Sequence, residues 1–291
     1  MICSSRPVSS DDVAEHYDEL DRFYREIWGE HVHHGLWERG DETPEEAVLN
    51  LVTLVAKRAH IGPGTRVCDV GCGYGATARK LVHECGAVVS AVTVSPAQYR
   101  HAVSRHGASG NPGYLLCDWL ENDFPSEVFD AVLSIESSEH MQDKELFFAQ
   151  AHRVLRPGGR LVICAWLSAE CPTALQRRLL LEPICREGRM PGMGTEWDYR
   201  NWFADAGFVL ESFENVSAHV RKTWTICVWR LLVNLLRQPG YLRFLFNGRA
   251  ANRIFMVTIS RIWLAYALGV MRYGVFTARK PQVSESPTKA A

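Results

Sequence analysis

The sequence predicts an α/β fold: a seven-stranded, mostly parallel sheet with helices on both faces. Three observations predict it. The apolar run Val67-Cys68-Asp69-Val70 leads into glycines at every second position, Gly71, Gly73 and Gly75, and residues 76–82 then read as a helix. Strand, glycine turn and helix together form the nucleotide-binding corner of a Rossmann-like sheet. Strand-like and helix-like runs then alternate as far as Trp166, the pattern of parallel strands with crossover helices. From Cys171 onward two further strand-like runs are separated by long helical stretches, too long for a bare sheet of this kind.

Taken in order, residues 1–12 are polar and read as loose, and 12–28 reads as an amphipathic helix. Thr43-Pro44-Glu45-Glu46 starts another helix, with a capping residue, proline at its first position and early acids. That helix runs to about His60 and stops before Gly62-Pro63-Gly64, so residues 1–60 form an N-terminal helical cap. The core, 61–170, has strands at 66–70, 88–92, 113–116, 131–135 and 161–166, with helices at 75–84, 96–105 and 144–155. Residues 171–281 complete it. They supply helices at 172–186 and 195–206, strand six at 208–216, helices at 219–236 and 250–268, and a last strand at 271–278. The helices inserted between strands six and seven are expected to form a lid over the substrate. Residues 282–291 are expected to be a disordered tail.

A chain of 291 residues can bury one substantial core. A net charge of −1 gives no reason to expect nucleic acid or an acidic partner. The first residues lack the apolar core of a secretion signal. Nine cysteines is an odd number, and Cys68, Cys72, Cys117 and Cys164 lie in or beside buried strands, which suggests free thiols in a reducing cytoplasm. Cys68 and Cys72 are not a C-x-x-C pair, so zinc is not expected. The greasiest region, 254–273, contains Arg261 and Arg272 and reads as an amphipathic helix with Phe255, Ile259, Ile262, Tyr266 and Gly269 on one face. Burial of that face against the domain is favoured over a place on a membrane surface. The oligomeric state is not legible.

The ligand of the glycine corner follows from what lies beyond it. Gly71, Gly73 and Ala76 also fit the dinucleotide pattern G-x-G-x-x-G/A, but that fold ends its second strand in a ribose-binding acid about 20 residues further on. Here the strand ends in Thr93-Val94-Ser95-Pro96-Ala97-Gln98, without an acid, and roughly a fifth of the chain precedes the corner. A nicotinamide oxidoreductase is therefore disfavoured.

The chain resembles the class I S-adenosylmethionine-dependent methyltransferases, in the tocopherol methyltransferase and cyclopropane-fatty-acid-synthase-like branch. Asp69-x-Gly71-x-Gly73-x-Gly75 is similar to the glycine motif of that class, and Thr93 to Gln98 to the branch's replacement for the ribose acid. Cys117-Asp118-Trp119, the run from Ile135 to Met141 and the run from Leu155 to Leu161 resemble its adenine step, active-site strand end and turn into strand five. The front run Trp28 to Trp37 and the closing run Gly269 to Pro281 resemble the branch's ends. These motifs speak to cofactor and say little about substrate.

The resemblance implies S-adenosylmethionine as cofactor. Gly71 and Gly73 allow backbone contact with its methionyl end, Gly75 completes the turn, and Asp69 attracts the ammonium group or caps the next helix. Thr93 and Gln98 suit the ribose hydroxyls, and Asp118 with Trp119 an adenine. Glu136, Glu139 and His140 follow strand four on the binding side. His140 is the candidate general base, Glu139 its support, Glu136 a cofactor-side residue and Glu170 a second candidate base. Tyr17, Trp28, His34, Trp37 and Trp166 are candidate substrate walls. His31, His33 and His34 match a cap pattern rather than a ligand spacing, so no metal is expected. The expected activity is methyl transfer to carbon, oxygen or nitrogen of a hydrophobic small molecule, a terpenoid, polyketide or aromatic compound. A cyclase or binding subunit that holds the cofactor without methylating is the alternative.

Overall fold

The computed structural model describes residues 1–4, 6–106, 110–246 and 255–282. Seven strands, β1 (Arg66–Val70), β2 (Val88–Thr93), β3 (Gly113–Leu116), β4 (Phe129–Ile135), β5 (Leu155–Ser168), β6 (Val209–Asn215) and β7 (Met271–Arg279), form one sheet in the order β3-β2-β1-β4-β5-β7-β6. All pairings from β3 to β5 are parallel, and β7 runs antiparallel to both β5 and β6. The mostly parallel seven-stranded sheet is therefore as expected.

Alternation along each strand divides the core. Val67, Leu133, Val162 and Cys164 point into one hydrophobic cluster, while Cys68, Val70, Val132, Ile163 and Ala165 point into another. The first cluster is completed by α2 (Pro44–Arg58), α3 (Ala76–Cys85) and α4 (Pro96–His106), the second by α5 (Lys144–Val154) and α6 (Glu196–Asp205). Both sheet faces are apolar because both are covered.

The helix starts follow local chemistry. Thr43 makes a capping box with Glu46 ahead of Pro44, and Ser9 makes one with Asp12 ahead of α1 (Ser10–Ile27). The expectation that residues 1–12 are loose is corrected here. Val8 is buried, Ser9 caps a helix, and Ile2–Cys3 pairs antiparallel with Gly192–Met193. The anchoring strand is two residues long, below any periodicity that a sequence could display.

The expected helix at 172–186 is one helical run, Ala174–Gln176, Arg177–Leu181 and Glu182–Glu187, whose middle turn is a wider π turn. The expected helix at 219–236 divides into Ser217–Val220 and α7 (Lys222–Arg237). A shorter helix, Pro239–Phe246, follows, and α8 (Phe255–Ala267) completes the lid before β7. In α8, Ile259, Ile262 and Tyr266 are buried as expected, whereas Gly269 lies beyond the helix, exposed at φ +67°. The Phe255 side chain, residues 250–254 and nearly all of the expected tail 282–291 lie outside the described residues.

The topology creates the crevice. From β1 the chain builds β2 and β3 on one side, then returns to build β4 and β5 on the other. Ligands in such sheets bind at the carboxyl ends of the strands beside that reversal. Helix α1 crosses this end against α4, and the lid helix α7 packs on α1 from the other side.

Candidate active site

The floor of the crevice is the turn after β1. Gly71 sits at φ +78°, and a Cβ there would meet the Ser137 Cβ at 2.3 Å. Ser137 in turn donates to the Val70 carbonyl at 2.5 Å, which locks the ends of β1 and β4 together. Gly73 is the opposite case: a Cβ there would meet nothing within 4 Å, because the residue borders open pocket. Gly75 begins α3 at φ +75°, and a Cβ there would strike the Tyr114 ring, so its role is packing rather than ligand contact.

Asp69 is 2 % exposed, and its Oδ2 has no hydrogen-bond partner. It borders a small pocket with Gly71, Gly73, Thr77, Glu30 and His31. Burial pushes its carboxyl up to about 7. An orphaned buried carboxylate oxygen beside an open glycine turn fits the ammonium end of an amino-acid-bearing cofactor. His31 and His33 close the same pocket, with His31 Nδ1 and His33 Nε2 3.2 Å apart and His33 Nδ1 donating to the His34 carbonyl. The two rings hydrogen-bond to each other as part of the cap.

The larger, adjoining pocket is lined by Thr93, Val94, Gln98, Cys117 and Met141. Thr93 donates to the Gln98 carboxamide oxygen at 2.9 Å, which leaves the Gln98 amide nitrogen as a donor for a ligand. Asp18 of α1 accepts from Ser95 Oγ and the Ala97 N–H, so the cap is tied to this loop. Asp118 uses one carboxylate oxygen, Oδ1, to cap a 3-10 turn by accepting from the Leu120 N–H at 2.8 Å. Trp119 reaches the pocket only with an edge: it is 1 % exposed, packs near Phe147 and donates to the Phe147 carbonyl. Cys117 and Met141 supply apolar wall there, a role that polar-contact reasoning passed over.

Glu136 ends β4 in the left-handed region, at φ +54°, an uncommon place for a residue with a side chain. Its carboxylate compensates with four donors: the His34 N–H at 2.7 Å, His34 Nδ1 at 2.9 Å, the Tyr273 hydroxyl at 2.7 Å and Trp166 Nε1 at 2.7 Å. Burial works to raise its pKa, and the His34 contacts outweigh it and hold the carboxylate below its ordinary range. Trp224 Nε1 donates to His34 Nε2 at 2.6 Å, and the ring's other nitrogen, Nδ1, donates to Glu136. His34 is thus a buried strut behind Glu136 and not a pocket wall, which corrects the expectation for it.

Beyond Glu136 lies a second chamber, lined by Tyr17, Tyr24, Trp28, Trp166, Met190 and Trp224, with Glu139 and His140 on its polar side. It shares Tyr17, Val32, Glu136 and His140 with the first pocket. The 3-10 turn Ser138–His140 presents these groups, and Lys144 pins it by donating to the carbonyls of Ser138, Glu139 and Met141. Burial lowers the Lys144 pKa and raises that of Glu139, whose Oε1 accepts from the Trp166 N–H. Lys144 was not singled out in the sequence, and nothing local to it marks it as buried.

Both nitrogens of His140 are engaged. Nδ1 lies 3.1 Å from the Arg189 carbonyl, which can only accept, so Nδ1 carries the proton. Nε2 therefore accepts from the Tyr17 hydroxyl at 3.0 Å. Burial lowers the His140 pKa to about 4, so the ring is neutral at neutral pH. Two expected site residues stand apart. Glu170 is exposed, and its carboxylate accepts from the Trp197 N–H at 3.3 Å near the start of α6. Trp37 donates to the Glu42 carbonyl and borders a different cavity of about 330 Å³, on the far side of Trp28.

A family model described as mycolic acid cyclopropane synthetase matches residues 4–239. A tocopherol O-methyltransferase of Arabidopsis thaliana is 29% identical, over 92% of this chain and 82% of its own length. The 27-O-demethylrifamycin SV methyltransferase of Amycolatopsis mediterranei is 30% identical, over 93% of this chain and 97% of its own. Among solved structures, mycolic acid cyclopropane synthase CmaA1 complexed with SAH and CTAB superposes with a TM-score of 0.82 at 22% identity, covering 95% of this chain and 100% of that one. The glycine turn, the orphaned Asp69 oxygen and the Thr93–Gln98 pair fit the cofactor that these relations imply. The chain belongs to the mycolic acid cyclopropane synthetase family and is a class I S-adenosylmethionine-dependent methyltransferase.

Proposed function

We propose that the chain methylates a hydroxyl group on a hydrophobic small molecule, of terpenoid, polyketide or aromatic type. The observation that carries this reading is the aromatic chamber adjoining the cofactor pocket, with a neutral histidine and a phenol at the junction. Bound S-adenosylmethionine supplies the methyl group on a positively charged sulfur. Asp69 in the small pocket, and the glycine turn, Thr93 and Gln98 in the larger one beside it, would hold it.

The chain's residues do the rest by position and proton handling. Tyr17, Trp28, Trp166 and Trp224 hold an apolar acceptor and exclude water, and fixed alignment of two reactants is worth about 7–11 kcal/mol of barrier. The acceptor hydroxyl gives its proton to the Tyr17 oxygen as Tyr17 passes its own to His140 Nε2. The Arg189 carbonyl holds the ring in the tautomer that can receive it. The chamber itself encloses about 40 Å³, room for a few waters, so the bulk of an acceptor extends past Trp28 into the cavity bordered by Trp37, Val48 and Leu49. A reducing, cytoplasmic setting belongs to the same reading, and all nine cysteines are free thiols.

The test is a screen of lipophilic hydroxylated acceptors with methyl-labelled cofactor, read by product mass and fragmentation. The reading expects products one CH₂ heavier, with the label on oxygen. Label on carbon or nitrogen would correct the acceptor atom. An acceptor rearranged without gaining label would overturn methylation in favour of a cofactor-holding cyclase.

A further inference from the structure

From Val216 to Gln282 the chain has no aspartate and no glutamate, and it has eleven lysines and arginines. The other residues carry 21 basic against 33 acidic side chains, a net of −12. The overall charge of −1 therefore conceals two opposed regions, and the basic one is the lid with β7. Part of that charge is committed internally: Arg261 pairs with Glu187, Arg279 with Glu211 and Lys280 with Glu127. Arg221, Arg237 and Arg243 are exposed and, among the described residues, make no ion pair.

The same helices are apolar on both sides. Helix α7 buries Trp224, Cys227 and Leu231, and its opposite stripe, Thr225, Trp229, Leu232 and Leu236, is exposed at helical spacing. Trp229 is 66 % exposed, Leu236 88 % and Phe246, at the end of the following helix, 78 %. Helix α8 buries Ile259, Ile262 and Ala265 and exposes Val257, Trp263 and Leu264, with exposed Leu268 directly after its end. Trp263 Nε1 donates to Thr225 Oγ1 at 3.2 Å, so the two outer faces adjoin. A helix with one buried face ordinarily shows water a polar one. Tryptophan and leucine bordered by arginine, without acids, suit the boundary of an anionic bilayer.

We propose that the outer faces of α7 and α8 dock on an anionic lipid bilayer. No helix among the described residues is long and apolar enough to cross a membrane, so the contact is superficial. A second copy meeting lid to lid would oppose arginines to arginines. Trp224, on the inner side of α7, lines the acceptor chamber, so one helix touches bilayer outside and acceptor inside. Delivery of the acceptor from the bilayer rests on the methylation proposed above, whereas the docking does not.

The experiment is co-sedimentation of the full chain with vesicles of phosphatidylcholine alone, or mixed equally with phosphatidylglycerol, over a salt series. Binding to the mixed vesicles is expected to be about tenfold stronger or more, and to weaken with salt. The double variants Trp229→Glu with Leu236→Glu, and Arg237→Glu with Arg243→Glu, are expected to lose most of it. Both should keep wild-type affinity for S-adenosylhomocysteine by calorimetry, which shows that they fold whatever the fate of the methylation reading. Equal binding to both vesicle types, or variants that bind like wild type, would overturn the proposal. So would a dimer in sedimentation equilibrium that Trp229→Glu dissolves in a chain that ignores vesicles.

Discussion

The floor of the crevice and its roof are built on different terms. On the floor, Gly71, Asp69, Thr93 and Gln98 lie within thirty residues of one another, and each is placed by the turn or strand end that carries it. Under the roof, Glu136 is held by His34, Trp166 and Tyr273, and His34 by Trp224, 190 residues away in sequence. The floor needs one backbone path, while the roof needs the cap, sheet and lid to meet. Substitutions on the floor should act on cofactor binding, and those under the roof on turnover.

The sharpest break of that contrast is Gly71→Val. Its Cβ would overlap Ser137 at a φ of +78°, so affinity for S-adenosylhomocysteine should fall beyond calorimetric detection. Unchanged affinity would mean that the turn is not the binding floor. Next is His140→Ala, for which turnover should fall about 10²- to 10⁴-fold with cofactor affinity unchanged. Tyr17→Phe should follow it if the phenol relays the proton, and a normal rate in Tyr17→Phe would place the acceptor directly on His140.

Asp69→Asn should weaken S-adenosylhomocysteine by roughly ten- to a hundredfold, about 1.4–2.7 kcal/mol. The pH dependence has a definite sign. Burial raises the Asp69 pKa from 3.8 to about 7, so its protonated form favours folding. That contribution is complete below about pH 4 and is lost as pH rises through about 7. The free protein should therefore melt lower at pH 8 than at pH 6, and Asp69→Asn should flatten the difference. Cofactor binding draws on the ionised form, so affinity should increase with pH up to about 7, with proton release visible in buffers of different ionisation heat. A pH-independent affinity would separate Asp69 from the ammonium. The smallest effect belongs to Glu170→Gln: an exposed carboxylate accepting from one N–H should leave turnover within about twofold of wild type.

The sequence made the cofactor side legible because its signals are local. Glycines at alternate positions, a strand end without an acid and a capping box each depend on a few neighbouring residues. The same reading misplaced His34 and Glu170, and it passed over Lys144. For His34 and Glu170 residue type suggested a ligand contact, and the partner that occupies the side chain lies elsewhere in the chain.

What the sequence alone determined was the fold class of a seven-stranded, mostly parallel sheet, the corner that takes the cofactor and the lid's lack of acids, because strand period, backbone freedom and charge are properties of the chain itself. Only the tertiary structure decided that Glu136 is satisfied by four donors, which nitrogen of His140 holds the proton, and that the lid turns a second apolar face outward. Those depend on which donors and walls converge once distant segments pack, and hydrogen bonding and burial are fixed there.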